Sequence, residues 1–116
     1  MPNAADLVAA ARQRIREITP QELSAKLSGL TVIDVREPAE FAAGHLPGAI
    51  NIPRGLLEFK VETAIPDHDR ALVLHCQGGG RSALATVALQ ELGYRNVVNL
   101  AGGFAACVAA GLPTER

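Results

Sequence analysis

Ala71-Leu72-Val73-Leu74-His75-Cys76-Gln77-Gly78-Gly79-Gly80-Arg81-Ser82 is the stretch on which the fold turns. Its first five residues form a near-continuous apolar run without alternation, the pattern of a strand buried on both faces of a parallel sheet. Directly beyond it, Ser82 to Leu92 sets Leu84, Ala85, Ala88, Leu89 and Leu92 on one helical face, with Gly93 as the C-terminal stop. Strand, glycine-rich loop and helix in that order place Cys76 beyond the carboxyl end of a strand, where open parallel sheets carry their sites.

The same alternation runs outward in both directions. Upstream, Thr31 to Val35 is a β-branched run that reads as a second buried strand and leads into Asp34 and Arg36. Glu37 to Phe41 reads as one or two helical turns stopped by Gly44, His45 to Ala49 as turn material, and Ile50 to Ile52 as a short strand followed by a helical patch from Leu56 to Glu62. Downstream, Val97 to Leu100 makes another strand, and Phe104 to Ala110 a last helix closed by Gly111 and Pro113. Near the start, Thr19-Pro20-Gln21-Glu22 is a capping box with proline at the first helical position, so a helix is expected from Pro20 to Ser28, ended by Gly29, with Ile18 and Leu23 as a hydrophobic staple. Repeated strand and helix argue for an α/β fold, a parallel sheet with helices on both faces. No internal repeat, low-complexity tract or interdomain linker interrupts it.

Composition bounds the function. With 116 residues, 48% hydrophobic and 3% aromatic, one domain is expected, large enough to bury a core without disulfide staples. Eleven Lys plus Arg against twelve Asp plus Glu leave a net charge of -1, so no global basic field exists to hold nucleic acid or an anionic membrane. Two cysteines, Cys76 and Cys107, do not make a secreted disulfide framework, so a reducing compartment, the cytoplasm, is the expected location. Asp6 precedes Arg12, Arg14 and Arg16, the reverse of a signal peptide's charge order. The long uncharged stretch from Asn96 to Thr114 is broken by Gly102, Gly103, Gly111 and Pro113, and no membrane span is expected there. Residues 1–16 read as a helical extension, capped by Asn3 with Leu7, Val8, Ala11 and Ile15 near one side, ahead of a domain over residues 17–116.

The loop carries the chemistry. Glycines at 78, 79 and 80 permit positive φ and close backbone approach, so successive N–H groups can converge on one point as an anion-binding nest. The helix that follows adds its dipole, and cysteines so placed have pKa values lowered from about 8.5 towards about 3.5 to 7.5. Arg81 adds a planar, permanently charged donor suited to an oxyanion or to neighbouring carboxylates, and Ser82 a local cap. The bland alternative, a buried cysteine in a glycine turn, does not explain why strand, cysteine, three glycines, arginine and helix occur together.

Four ordered motifs are similar to single-domain rhodaneses: Asp34-Val35-Arg36-Glu37-Pro38-Ala39-Glu40-Phe41, then Gly44 to Pro53, the loop Cys76 to Ser82, and Gly102-Gly103-Phe104 with Ala110-Gly111-Leu112-Pro113. The resemblance covers residues 18–115 and implies a rhodanese-like domain with a central five-stranded parallel sheet. It implies transfer of a sulfane sulfur from thiosulfate or a similar donor to cyanide or a thiol through a Cys76 persulfide, by double displacement. The amides of Gln77, Gly78, Gly79, Gly80, Arg81 and Ser82 would hold the substrate sulfur, with Asp34 and Arg36 in support. Small-molecule donor and acceptor, and a thioredoxin-like protein as a candidate thiol partner, follow from the same likeness, and no metal or organic cofactor is expected. Related dual-specificity phosphatases space cysteine and arginine one residue further apart, which makes a phosphatase or arsenate reductase the lesser expectation; a catalytically idle partner-binding module is the other alternative.

The remaining polar residues read as structural. Asp34 and Arg36 are expected to form an ion pair that locks the loop. His45 and His75 lack an identifiable triad partner, Asp67-His68-Asp69 reads as a solvated loop, and Glu22, Glu40 and Glu62 as capping or surface residues. Arg54 is expected either in solvent or reaching towards an anionic substrate, and Cys107 as a small packed residue, with a disulfide to Cys76 as the minority view.

Overall fold

In the computed structural model, which describes residues 2–116, the chain opens with helix α1, Ala4–Arg12. Asn3 and Asp6 cap it reciprocally, each side chain accepting from the other's backbone N–H. Strand β1, Glu17–Ile18, leads into α2, Pro20–Lys26, where Thr19 and Glu22 form the capping box read from the sequence. A 3-10 turn, Leu27–Gly29, finishes that helix. Strand β2, Thr31–Asp34, is followed by α3, Pro38–Ala43, and β3, Ile50–Asn51. A 3-10 turn at Arg54–Leu56 runs into α4, Leu57–Ala64. Strand β4, Leu72–His75, helix α5, Gly80–Glu91, strand β5, Val97–Leu100, and helix α6, Gly103–Ala109, complete the chain.

The five strands form one parallel sheet in the order β1-β5-β4-β2-β3. Parallel neighbours require crossovers, and the helices supply them. Consecutive β2 residues feed opposite cores, because side chains alternate across a strand. Ile33 and Val35 pack with Leu72, Leu74, Leu57, Val61, Ala85 and Leu89 beneath α4 and α5. Val32 packs with Val73, Leu100, Leu23 and Cys107 beneath α2 and α6. Strands covered on both sides explain why β2 and β4 lack polar alternation.

Four strands follow from hydrophobic pattern; β1 does not. Two residues are too short to carry a periodicity, and β1 exists because Glu17 and Ile18 register with Asn99 and Leu100 of β5. Its flanks extend the ladder, with Asn99 N–H donating to Arg16 O at 2.9 Å and Ala101 N–H to Ile18 O at 2.8 Å. Helix α1 packs along α5 and buries Ala11. No helix among the described residues is long and apolar enough to cross a membrane.

Candidate active site

Central strand β4 ends at His75, and the next residue is Cys76. Helix α5 begins at Gly80, two residues earlier than its apolar face indicates, so Arg81 and Ser82 belong to its first turn rather than to the loop. That early start aims the Ser82 N–H backwards at the strand end, as unpaired amides of a first helical turn point. The three glycines also divide the work unequally. Only Gly79 takes a left-handed conformation, at φ 103°, while a Cβ at Gly78 would meet nothing.

Donors converge on Cys76 Sγ from Gly79 N–H at 3.1 Å, Ser82 N–H at 3.5 Å and Ser82 Oγ at 3.4 Å. The single Ser82 hydroxyl proton has a second acceptor, Gly79 O at 3.3 Å; a thiolate sulfur, carrying full charge, is the stronger claimant. Burial pushes the Cys76 thiol up, but the Ser82 hydroxyl and the amides of Ser82, Gly79 and Gly78 together outweigh it and leave the pKa below the ordinary thiol value. Gly79 and Ser82 supply the amides that reach Sγ, and no backbone N–H of Gln77, Gly80 or Arg81 makes a hydrogen bond to it among the described residues. Ser82 does more than cap, and nothing in the local pattern announces its hydroxyl as a donor to sulfur. Cys76 itself is only 1% exposed, whereas Gln77 and Gly78 are open to solvent, so the loop's backbone is the way in.

Two arginines brace this loop. Arg36 Nε and Nη2 embrace the buried Asp34 carboxylate, with Nη2 to Oδ2 at 2.8 Å, and Nη2 also donates to Gly44 O at 2.7 Å. Its Nη1 reaches Gln77 Oε1 at 3.4 Å, and its guanidinium lies 4.2 Å over the Phe104 ring. The pair is structural in geometry, as the short spacing indicates, and it tethers β2 to the loop. Arg81 donates from Nη1 and Nη2 to Glu40 Oε1 and Oε2 at 2.8 and 3.1 Å. Glu40 is therefore no surface bystander: the Arg81 bonds, aided by the Glu37 N–H, hold its carboxyl at about 2. With its fork taken by Glu40, Arg81 is a positive charge beside the sulfur rather than a free clamp for an oxyanion.

Helix α6 supports the loop from the other side. Phe104 N–H donates to Cys76 O at 2.8 Å and Ala105 N–H to Gln77 O at 3.1 Å. This approach requires Gly103, at φ 63°, because a Cβ there would stand 2.6 Å from both Cys76 O and Gln77 O. The motif Gly102-Gly103-Phe104 marks the position; only the fold shows what it touches.

The histidines sit apart from Sγ chemistry. His75 is buried, with Nδ1 facing Cys76 O at 3.2 Å and Nε2 3.7 Å from Asp34 Oδ2, and burial holds its pKa low despite that carboxylate. His45 stacks on Phe41 and lies 3.4 Å from Glu115. In the 67–69 loop His68 stacks on Tyr94 and Asp69 pairs with Arg95. Arg54 pairs with Glu58 on the next turn rather than pointing into the loop. Cys107 is buried in the opposite core from Cys76, and burial pushes its thiol up to about 11. Two surface grooves lie elsewhere, about 360 Å³ between α1 and α5 and about 460 Å³ beside Ile50 and Phe59; Cys76 lines neither.

A doubly covered parallel sheet with a thiolate cradle at the tip of its central strand defines the class. The chain belongs to the rhodanese-like domain family, which matches residues 19–110. A sulfurtransferase of Allochromatium vinosum is 37% identical over 102 residues, 85% of this chain and 94% of that relative. A thiosulfate sulfurtransferase of Escherichia coli K12 is 39% identical over 70 residues, 60% of this chain and 67% of the relative. A Rhodopseudomonas palustris structure, described as a protein of unknown function and possible tyrosine phosphatase, superposes with a TM-score of 0.90 at 30% identity, covering 99% of this chain and 96% of that one.

Proposed function

We propose that this chain is a sulfurtransferase that carries a sulfane sulfur on Cys76, taken from thiosulfate or a similar donor and passed to cyanide or a thiol. The convergence of Gly79 N–H, Ser82 N–H and Ser82 Oγ on one sulfur supports it above all. The Cys76 thiolate attacks the outer sulfur of thiosulfate; a new S–S bond forms, the donor's own S–S bond breaks, and sulfite departs with the electron pair. The persulfide so made keeps its negative charge on the terminal sulfur, where the amides of the Gln77 to Ser82 loop and the field of Arg81 would hold it without reorganising. An acceptor nucleophile then attacks that terminal sulfur, leaves as thiocyanate or a persulfide, and returns Cys76 as thiolate. Asp34 and Arg36 serve by fixing Gln77, and no step calls for a metal or organic cofactor. Two free thiols suit a reducing compartment such as the cytoplasm, where a thioredoxin-like protein is a fitting acceptor.

The alternatives are a phosphatase and an idle module. Engagement of Arg81 by Glu40 weighs against the first, because phosphoryl binding would need that fork free. Thiosulfate treatment followed by mass spectrometry should add about 32 Da, one sulfur, at Cys76. Cys76→Ser should lose both the adduct and thiocyanate formation. Equal thiocyanate rates for the two proteins would point to an idle module, and phosphate-ester hydrolysis without an adduct to a phosphatase.

A further inference from the structure

The family match starts at residue 19, yet residues before it touch the cysteine loop. Along α5, Val8 Cγ2 lies 3.6 Å from where a Gly80 Cβ would stand, and Arg12 Nη2 lies 3.3 Å from the same point at Gly79. On β1, Glu17 is in register with Asn99, and Asn99 Nδ2 donates to Glu17 Oε2 at 2.8 Å and to Gly79 O at 3.4 Å. Arg12 Nε approaches that same Oε2 at 3.9 Å. Asn99 is fully buried and its Oδ1 has no partner, so the Nδ2 bonds are what orient its amide. Gly79 in turn is the hub of the cradle. Its N–H reaches Sγ, and its carbonyl accepts from Ser82 Oγ and, at 3.1 Å, from Ala83 N–H.

We infer that Arg12 and Glu17, acting through Asn99, are positioning residues for the sulfur cradle: they clamp Gly79 from both sides and keep its N–H aimed at Cys76 Sγ. A left-handed glycine has no Cβ to bar rotation of the peptides on either side of it, so its aim must be fixed by neighbours. Asn99 fixes the Gly79 carbonyl from the sheet, Glu17 fixes Asn99, and the Arg12 guanidinium lies against the Gly79 backbone from outside. The extension is then a working part of the site rather than an appendage. The inference rests on Cys76 serving as the working thiolate, but its test reads the thiolate itself and not sulfur transfer.

The measurement is the rate of Cys76 alkylation by iodoacetamide against pH, located by mass spectrometry on the full chain. The charged or titratable groups around the loop are Arg81 with Glu40, Arg36 with Asp34, His75, and Arg12 with Glu17; only the last pair is altered. Glu17→Ala should move the profile to higher pH and slow alkylation near neutrality about three- to tenfold, as expected for one weakened hydrogen bond to a charged sulfur. Arg12→Ala should act in the same direction. Glu17→Gln keeps an acceptor oxygen for Asn99 and should restore the wild-type profile. Both residues are exposed, so the fold survives their replacement. A wild-type profile for Glu17→Ala, a faster reaction, or a Glu17→Gln as slow as Glu17→Ala would overturn the inference. A chain that alkylates as expected but moves no sulfur would overturn the proposed function instead.

Discussion

Replacing Gly103 by alanine should damage the cysteine loop without touching it directly. The new Cβ would stand 2.6 Å from Cys76 O, 2.6 Å from Gln77 O and 2.8 Å from Gln77 C, all backbone atoms with no rotamer to yield. Relief requires a retreat of about 0.8 Å to reach ordinary van der Waals distance. That retreat pulls α6 from the loop and breaks the Phe104 and Ala105 hydrogen bonds to Cys76 O and Gln77 O. A side chain at φ 63° adds about 1–2 kcal/mol of strain, and overpacking about 1–3 kcal/mol more. For a chain of this length the sum lowers Tm by about 8–20 °C. A shift of that size at the nucleophile should also cost at least about tenfold in sulfur transfer. Circular dichroism melts and thiocyanate formation, run beside Gly29→Ala, decide the matter. Gly29 has nothing within 4 Å of its would-be Cβ, so its replacement should leave Tm unchanged or slightly raised. A Gly103→Ala protein that melts and reacts like wild type would refute the packing argument. One that melts early but reacts normally would refute the coupling of α6 to the nucleophile.

Ser82→Ala removes the hydroxyl donor at 3.4 Å from Sγ while leaving the Ser82 N–H in place. The Cys76 pKa should rise, leaving about three- to tenfold less thiolate below it; ultraviolet titration of the thiolate checks it, and an unmoved titration would show that the hydroxyl proton goes to Gly79 O. Glu40→Gln loses the charge that Arg81 holds. Because the folded-state carboxyl is depressed to about 2, its stabilisation is present above the usual carboxylate range and lost as pH falls towards 2. Wild-type Tm should therefore fall more steeply than that of Glu40→Gln between about pH 5 and pH 2. The pair is partly exposed and its worth stays at or below about 1 kcal/mol.

Local patterns were enough for the framework. Uninterrupted apolar runs located β2 and β4, the Thr19 to Glu22 box located α2, and the Asp34–Arg36 pair, two residues apart, was legible as an ion pair. The parts that were not legible depend on residues distant in sequence. Strand β1 is defined by its partner, Asn99; Glu40 meets Arg81 across 41 residues; and Gly103 matters through carbonyls of another loop. The start of α5 at Gly80 is hidden from the sequence because the apolar face that reveals a helix begins only where the helix meets the core, after its first turn has already turned inward on the sulfur.

The two thiols lie on opposite sides of the sheet, with a layer of strands between their cores. A chain so arranged has no resolving cysteine of its own. Under the proposed function, a sulfur loaded on Cys76 would stay there until a collision with another molecule unloads it, and the abundance of that outside nucleophile would set how long the cargo is held. The same partition would leave a sulfenic acid on Cys76 to be resolved by an outside thiol rather than by Cys107.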